Sequence, residues 1–204
     1  KHFQALWIPN IMVPKKYHKI NKIYYGWDKL ILDKKKKLKK KLKKKILLIS
    51  HGGSDIYRLT KKLPNILYKT KYRVNWIIGP YTNTPNIKQK FKNKIKVINQ
   101  PKSIDKFIIN SHISLTLFGM SFFENIRYSL PTIVLIPPGK ENKLLIDYIL
   151  KQKIIVIKDV NQIIKAINKL MSDFINYKKL FIQLSKKINL QNRKKFYKKI
   201  LNFN

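Results

Sequence analysis

An α/β domain with a parallel sheet of about six strands, wrapped by helices on both faces, is the fold class this sequence predicts. Three observations carry it. Six short apolar runs recur between residues 46 and 158, with helix-like stretches between them. The runs lack polar alternation, as strands buried on both faces do. Five of the six glycines, Gly52, Gly53, Gly79, Gly119 and Gly139, fall just after apolar runs, where a strand would hand over to a helix. The sixth is Gly26.

Each element follows in order. "ILLIS" (46–50) reads as a buried strand, and a helix is predicted over 56–68, kinked or shortened by Pro64. "VNWIIG" (74–79) is a second strand, 86–93 a short amphipathic helix, and "IKVIN" (95–99) a third strand. "SIDKFIINS" (103–111) has a serine cap and apolar Ile104, Phe107 and Ile108 at helical spacing. "ISLTLF" (113–118) is a fourth strand, 121–129 a helix, and "TIVLIP" (132–137) a fifth strand. A helix over 141–152 leads to a sixth strand, "IIVIK" (154–158). Beyond it only helical periodicity remains, over 160–172, 175–188 and 192–202. Alternation of this kind is Rossmann-like.

The predicted domain spans 46–204, preceded by a lysine-rich linker over 34–45. Like charges four apart oppose a helix in that linker. Residues 1–33 are apolar and aromatic but complete no α/β unit. They read as the remnant of an N-terminal domain or as an inter-domain crossover. The chain starts at Lys1, without methionine, which reads as a fragment or a processed product.

Composition narrows the chemistry. The 204 residues contain 46 Lys and Arg against 9 Asp and Glu, a net charge of +37. Such an excess points to nucleic acid or an anionic surface. Here, however, the lysines spread over nearly every segment, and asparagine and isoleucine are abundant with them. All three have A/T-rich codons, so a low-GC genome accounts for the bias, and nucleic acid is not the expected partner. With no cysteine, disulfides and thiolate-bound metals are excluded. His2, His18, His51 and His112 lack metal-ligand spacing, so neither metal nor cofactor is expected. No apolar run approaches the ~20 residues of a membrane span, and the N-terminus lacks a signal-peptide pattern. A cytoplasmic protein is expected, with the anionic inner-membrane surface as the peripheral site its charge admits.

In an open parallel sheet, ligands bind beyond the carboxyl ends of the strands. Residues following the strands are therefore the site candidates. "HGGSD" (51–55) follows the first strand and "GMSFFE" (119–124) the fourth. Glycines let backbone N–H groups approach an anion, and helix N-termini favour one. Neither stretch is a Walker motif or G-x-G-x-x-G. Taken alone, "GGSD" reads more readily as a tight β-to-α turn than as a ligand loop. Glu124, a rare acid on the first turns of a helix at that rim, can accept ribose hydroxyls or complement the helix dipole. Glu141 and Asn142 stand likewise at the next helix start. No Ser/His/Asp set or pair of rim carboxylates stands out.

Together "ILLISHGGSD", "INQPKSIDKFIINSHISLTLFGMSFFENIRYSLPTIVLIP" and "KEN" resemble the C-terminal domain of GT-B-type nucleotide-sugar enzymes. The nearest likeness is to the UDP-sugar hydrolase of pseudaminic acid biosynthesis, and a more distant one to the peptidoglycan N-acetylglucosaminyltransferase. The resemblance implies a UDP-sugar site. Gly52, Gly53, Ser54 and the adjoining Asp55 would face the diphosphate or sugar. Gly119, Met120 and Ser121 form the second loop, whose N–H groups would meet the phosphates. The backbone near Ile98 and Asn99 would touch uracil, Glu124 the ribose, and Glu141 and Asn142 the sugar. Three positions depart from the family pattern: Phe118 replaces a glycine, His112 an aspartate, and Leu130 a glycine. The catalytic base and acceptor side are expected on an N-terminal GT-B domain, in cis or in trans. The implied function is UDP-sugar binding for inverting hydrolysis or glycosyl transfer. The alternatives are a basic module for RNA, DNA or anionic lipid, and a degenerate, non-catalytic scaffold.

Overall fold

The structure is a computed structural model. It describes residues 6–7, 10–11, 23–30, 32, 45–55, 57–136 and 143–188. The predicted linker, the helix over 192–202 and the Glu141–Asn142 pair lie outside these residues, apart from Lys45.

The described residues form eight strands: β1 (Leu6–Trp7), β2 (Ile23–Tyr24), β3 (Ile46–Ser50), β4 (Arg73–Ile78), β5 (Ile95–Asn99), β6 (Ile113–Leu117), β7 (Thr132–Leu135) and β8 (Val156–Ile157). The first two pair with each other in parallel. The other six form one sheet in the order β5-β4-β3-β6-β7-β8, and every pairing is parallel. Counted from β3, this is the doubly wound 3-2-1-4-5-6 order. Its direction reverses between β3 and β6, so these two strands diverge into connections on opposite sides.

Among the described residues, six α-helices accompany the sheet: α1 (Leu59–Tyr68), α2 (Asp105–Ile109), α3 (Met120–Arg127), α4 (Lys143–Lys151), α5 (Ile163–Ser172) and α6 (Phe174–Lys187). Alternate residues along the strands enter different cores. Leu47, Ile49, Trp76, Ile133 and Leu135 pack with Leu63 and Leu67 of α1 and Ile167 and Leu170 of α5. Val134 and Ile136 pack on the other face with Phe122 and Ile126 of α3, Ile149 of α4 and Phe181 of α6. Leu48 and Ile77 pack there with Ile108 of α2. Burial on both faces is the physical reason the strands are predominantly apolar.

Several predicted boundaries shift. The first helix begins at Leu59 because the Asp55 carboxylate accepts from the N–H groups of Leu59 (2.5 Å) and Thr60 (3.0 Å). Pro64 lies inside this helix and is buried, and the helix runs on to Tyr68. The helix predicted over 86–93 reduces to a single 3-10 turn, Gln89–Phe91, whose Phe91 ring stacks on Tyr68 at 4.0 Å. The stretch 160–172 divides, because Asp159 and Gln162 form a capping box around a 3-10 turn before α5 begins.

Part of the N-terminal stretch docks onto the domain. Ile11, Leu30 and Leu32 are buried in the same cluster as Phe122 and Phe181. Trp27 donates its indole N–H to the Tyr148 hydroxyl (2.9 Å) and meets Phe123 edge-on at 6.0 Å.

Candidate functional site

The loop after β3 turns through Gly52, whose φ of 92° lies in the region that favours glycine. It then lies directly against the loop after β4. A Cβ added to Gly79 would come 2.4 Å from the Gly52 carbonyl oxygen and 2.5 Å from the Gly53 Cα. The Tyr81 N–H donates to the Gly53 carbonyl (2.9 Å), and Ser54 bridges to Tyr81 in parallel. Two strand-to-helix loops are thus laminated at the carboxyl rim.

Beside them opens a cleft of about 530 Å³ at the ends of β3, β4 and β6. Gly52 and Gly53 form one wall, Met120, Ser121 and Glu124 of α3 another, and residues 100–105 a third. The Ser50 hydroxyl donates to the Ser121 hydroxyl (2.9 Å), joining the loop after β3 to the start of α3. The Thr116 hydroxyl donates to the Ser50 carbonyl (2.6 Å). No side chain caps α3, whose N-cap is Gly119. A helix N-terminus left open in this way favours an anion. A Cβ at Gly53 or Gly119 would meet nothing within 4 Å, so both positions face open space.

At the other end of the cleft lies a buried ion pair. Arg127, the last residue of α3, donates to the Asp105 carboxylate at 3.0 Å, with side-chain exposures of 5% and 8%. The Ser103 hydroxyl donates to the other Asp105 oxygen (2.8 Å).

Of the residues expected from sequence, Gly52, Gly53, Met120, Ser121 and Glu124 converge on this cleft. Gly119 caps the helix behind them. Ser54 and Asp55 line a neighbouring hollow with Arg58 and Tyr81 instead. The Asp55 carboxylate is engaged as the cap of α1, including a bond from the Thr60 hydroxyl. Ile98 and Asn99 end β5 without lining the cleft, and Gln100 and Pro101 line it in their place. Ser50, Asp105 and Arg127 were not anticipated. The signal for Arg127 was its place three residues after Glu124, one turn along the same helix.

The departures from the family pattern find structural roles. The Phe118 ring turns toward Phe122 and Phe123, at 5.4 Å from each, and does not line the cleft. The His112 Nδ1 accepts from the Ile46 N–H (3.2 Å) at the opposite end of the sheet. Leu130 is buried beside Leu48 and Tyr128.

His51 is only 3% exposed, and its ring meets Trp76 edge-on at 6.0 Å. Neither ring nitrogen makes a hydrogen bond of good geometry. Burial pushes its pKa below the ordinary 6.5, against a smaller upward pull from Asp55 and the neighbouring backbone. No cluster of three metal-ligating side chains occurs among the described residues, and no described helix is long and apolar enough to cross a membrane.

This sheet order and rim define a doubly wound, Rossmann-like α/β domain. Among solved structures the chain is similar to the glycotransferase of kitacinnamycin, with a TM-score of 0.65 at 12% identity over 86% of this chain and 49% of that one. It is also similar to TarM, with a TM-score of 0.54 at 11% identity over 90% of this chain and 40% of that one. The chain therefore spans about half the length of these proteins or less. No family model matches it, and no curated protein matches it.

Proposed function

We propose that the cleft binds the nucleoside diphosphate of an activated sugar, a UDP-sugar, and that the chain is the donor-binding half of a GT-B-type enzyme. One observation carries this reading. At the point where strand order reverses, a glycine loop, the uncapped N-terminus of α3 and Glu124 border a single cleft. Ligands of doubly wound sheets bind at that point. The phosphates would lie against the glycine loop and the first N–H groups of α3, and Glu124 would accept the ribose hydroxyls.

The chemistry follows from the charges. An acceptor oxygen attacks the anomeric carbon from the face opposite the diphosphate. The bond from that carbon to the diphosphate oxygen breaks, and UDP leaves with the electron pair. Preorganised N–H donors stabilise the negative charge as it develops. Attack by water makes the reaction a hydrolysis; attack by a sugar or lipid hydroxyl makes it a transfer. The base that takes the acceptor proton is assigned to a second, N-terminal domain. The similarity to proteins about twice this length supports that assignment.

Calorimetry with UDP and UDP-GlcNAc, at ~0.15 M and ~0.5 M salt, tests the reading. Binding is expected to survive the higher salt and to weaken at least tenfold in Glu124→Ala. Binding that vanishes with salt and ignores Glu124 would make the chain a non-specific polycation.

A further inference from the structure

We infer that the Asp105–Arg127 ion pair is a clamp that positions the 100–105 wall of the cleft; that this wall meets the base rests on the nucleotide reading, which seats the phosphates at the glycine loop. The pair joins two different walls. Asp105 opens α2 and belongs to the 100–105 wall, while Arg127 closes α3, one turn beyond Glu124.

The two walls are not held equally. Phe122, Phe123 and Ile126 root α3 in the core, each no more than 2% exposed. The facing wall has less to hold it. Gln100 has a φ of 38°, Lys102 is exposed, and α2 is five residues long, with Ile108 buried and Ile104, Phe107 and Ile109 only partly buried against the same cluster. The pair therefore ties the loosely rooted wall to the firmly rooted one. Ser103 completes the tie, since its hydroxyl donates to Asp105 and accepts from the Asp105 N–H (3.3 Å).

Stability alone does not explain such a pair. Two buried charges lose their hydration, and apolar residues of similar volume commonly do as well or better. What a buried guanidinium and a carboxylate fixed by Ser103 supply is a defined distance between α2 and α3. That distance sets the width of the cleft end farther from the glycine loop.

The test is the double variant Asp105→Leu/Arg127→Met in the full chain, with Arg127→Lys as a milder second variant. Without any ligand, hydrogen exchange at the Asp105, Phe107 and Ile108 amides is expected to accelerate at least tenfold, with α5 and β7 unchanged. With ligand, UDP affinity is expected to fall about tenfold while inorganic pyrophosphate, held at the glycine end, binds as before. Arg127→Lys, which keeps the charge and loses the fork, is expected to show both effects more weakly. Unchanged exchange at 105–108 in whichever variant folds, or equal losses for UDP and pyrophosphate, would overturn the clamp. If wild-type protein binds no UDP, the nucleotide reading fails, and the exchange experiment still decides the clamp.

Discussion

Three glycines at the rim do different work, and substitution separates them. Gly53 and Gly119 face open space, and Gly119 has an extended backbone that any residue adopts. Gly53→Ala and Gly119→Ala are expected to unfold at the wild-type denaturant midpoint and to bind UDP several-fold more weakly, because a methyl group would occupy ligand space. Gly79→Ala is expected to lose about 1–3 kcal/mol of stability through overpacking, since its Cβ would strike the Gly52–Gly53 backbone. His51 makes a different prediction. It is buried in the neutral form, with a pKa below 6.5 in the folded state. Below pH 6.5 the unfolded chain therefore binds the proton that the folded chain refuses, so stability falls as pH drops through that value toward the folded pKa. Urea unfolding of wild type and His51→Phe between pH 7.5 and pH 5 is expected to show the slope in wild type alone. Parallel slopes would place the titration elsewhere. Glu124, Met120 and Ser121 were legible as cleft residues because an acid and an open helix start follow a strand there. Asp105 was not, because its meaning depends on Arg127, 22 positions away, and only the folded chain brings the two together.

Among the elements, strands were read more accurately than helices. All six apolar runs became strands of one sheet, since parallel strands covered on both faces are predominantly apolar along their length. The helices lost residues at their ends, where capping decides. Asp55 looked like part of a ligand loop, but its carboxylate accepts the first free N–H groups of α1 and delays that helix to Leu59. Asp55→Ala is expected to cost about 1–2 kcal/mol in urea unfolding, with UDP affinity little changed. A large loss of affinity at full stability would return Asp55 to the ligand. The stretch over 86–93 shows the opposite limit. Its apolar spacing is helical, yet Ile87 is buried, Lys88 is extended and Phe91 stacks on Tyr68, so tertiary contacts fix a single turn.

For the whole molecule, strand order places the cleft. A sheet that winds outward in both directions from β3 and β6 must leave a gap where the two connections part, and the glycine loop and α3 border that gap. The N-terminal stretch, which fits no α/β unit by sequence, is partly accounted for by packing. Trp27, Leu30 and Leu32 cover α3, α4 and α6 on the side where Phe118 also packs. Periodicity could not reveal this, because isolated apolar residues outside regular elements carry no period. The net charge of +37 acts at this scale too, drawing any polyanion to the surface without choosing a place. Location is therefore what must be measured. The most direct measurement is an NMR titration of the ¹⁵N-labelled chain with UDP at ~0.3 M salt. Shifts are expected to concentrate at Gly52, Gly53, Gly79, residues 100–105 and residues 119–124. Shifts scattered over the lysine-bearing faces of α1, α5 and α6, with the cleft silent, would contradict it.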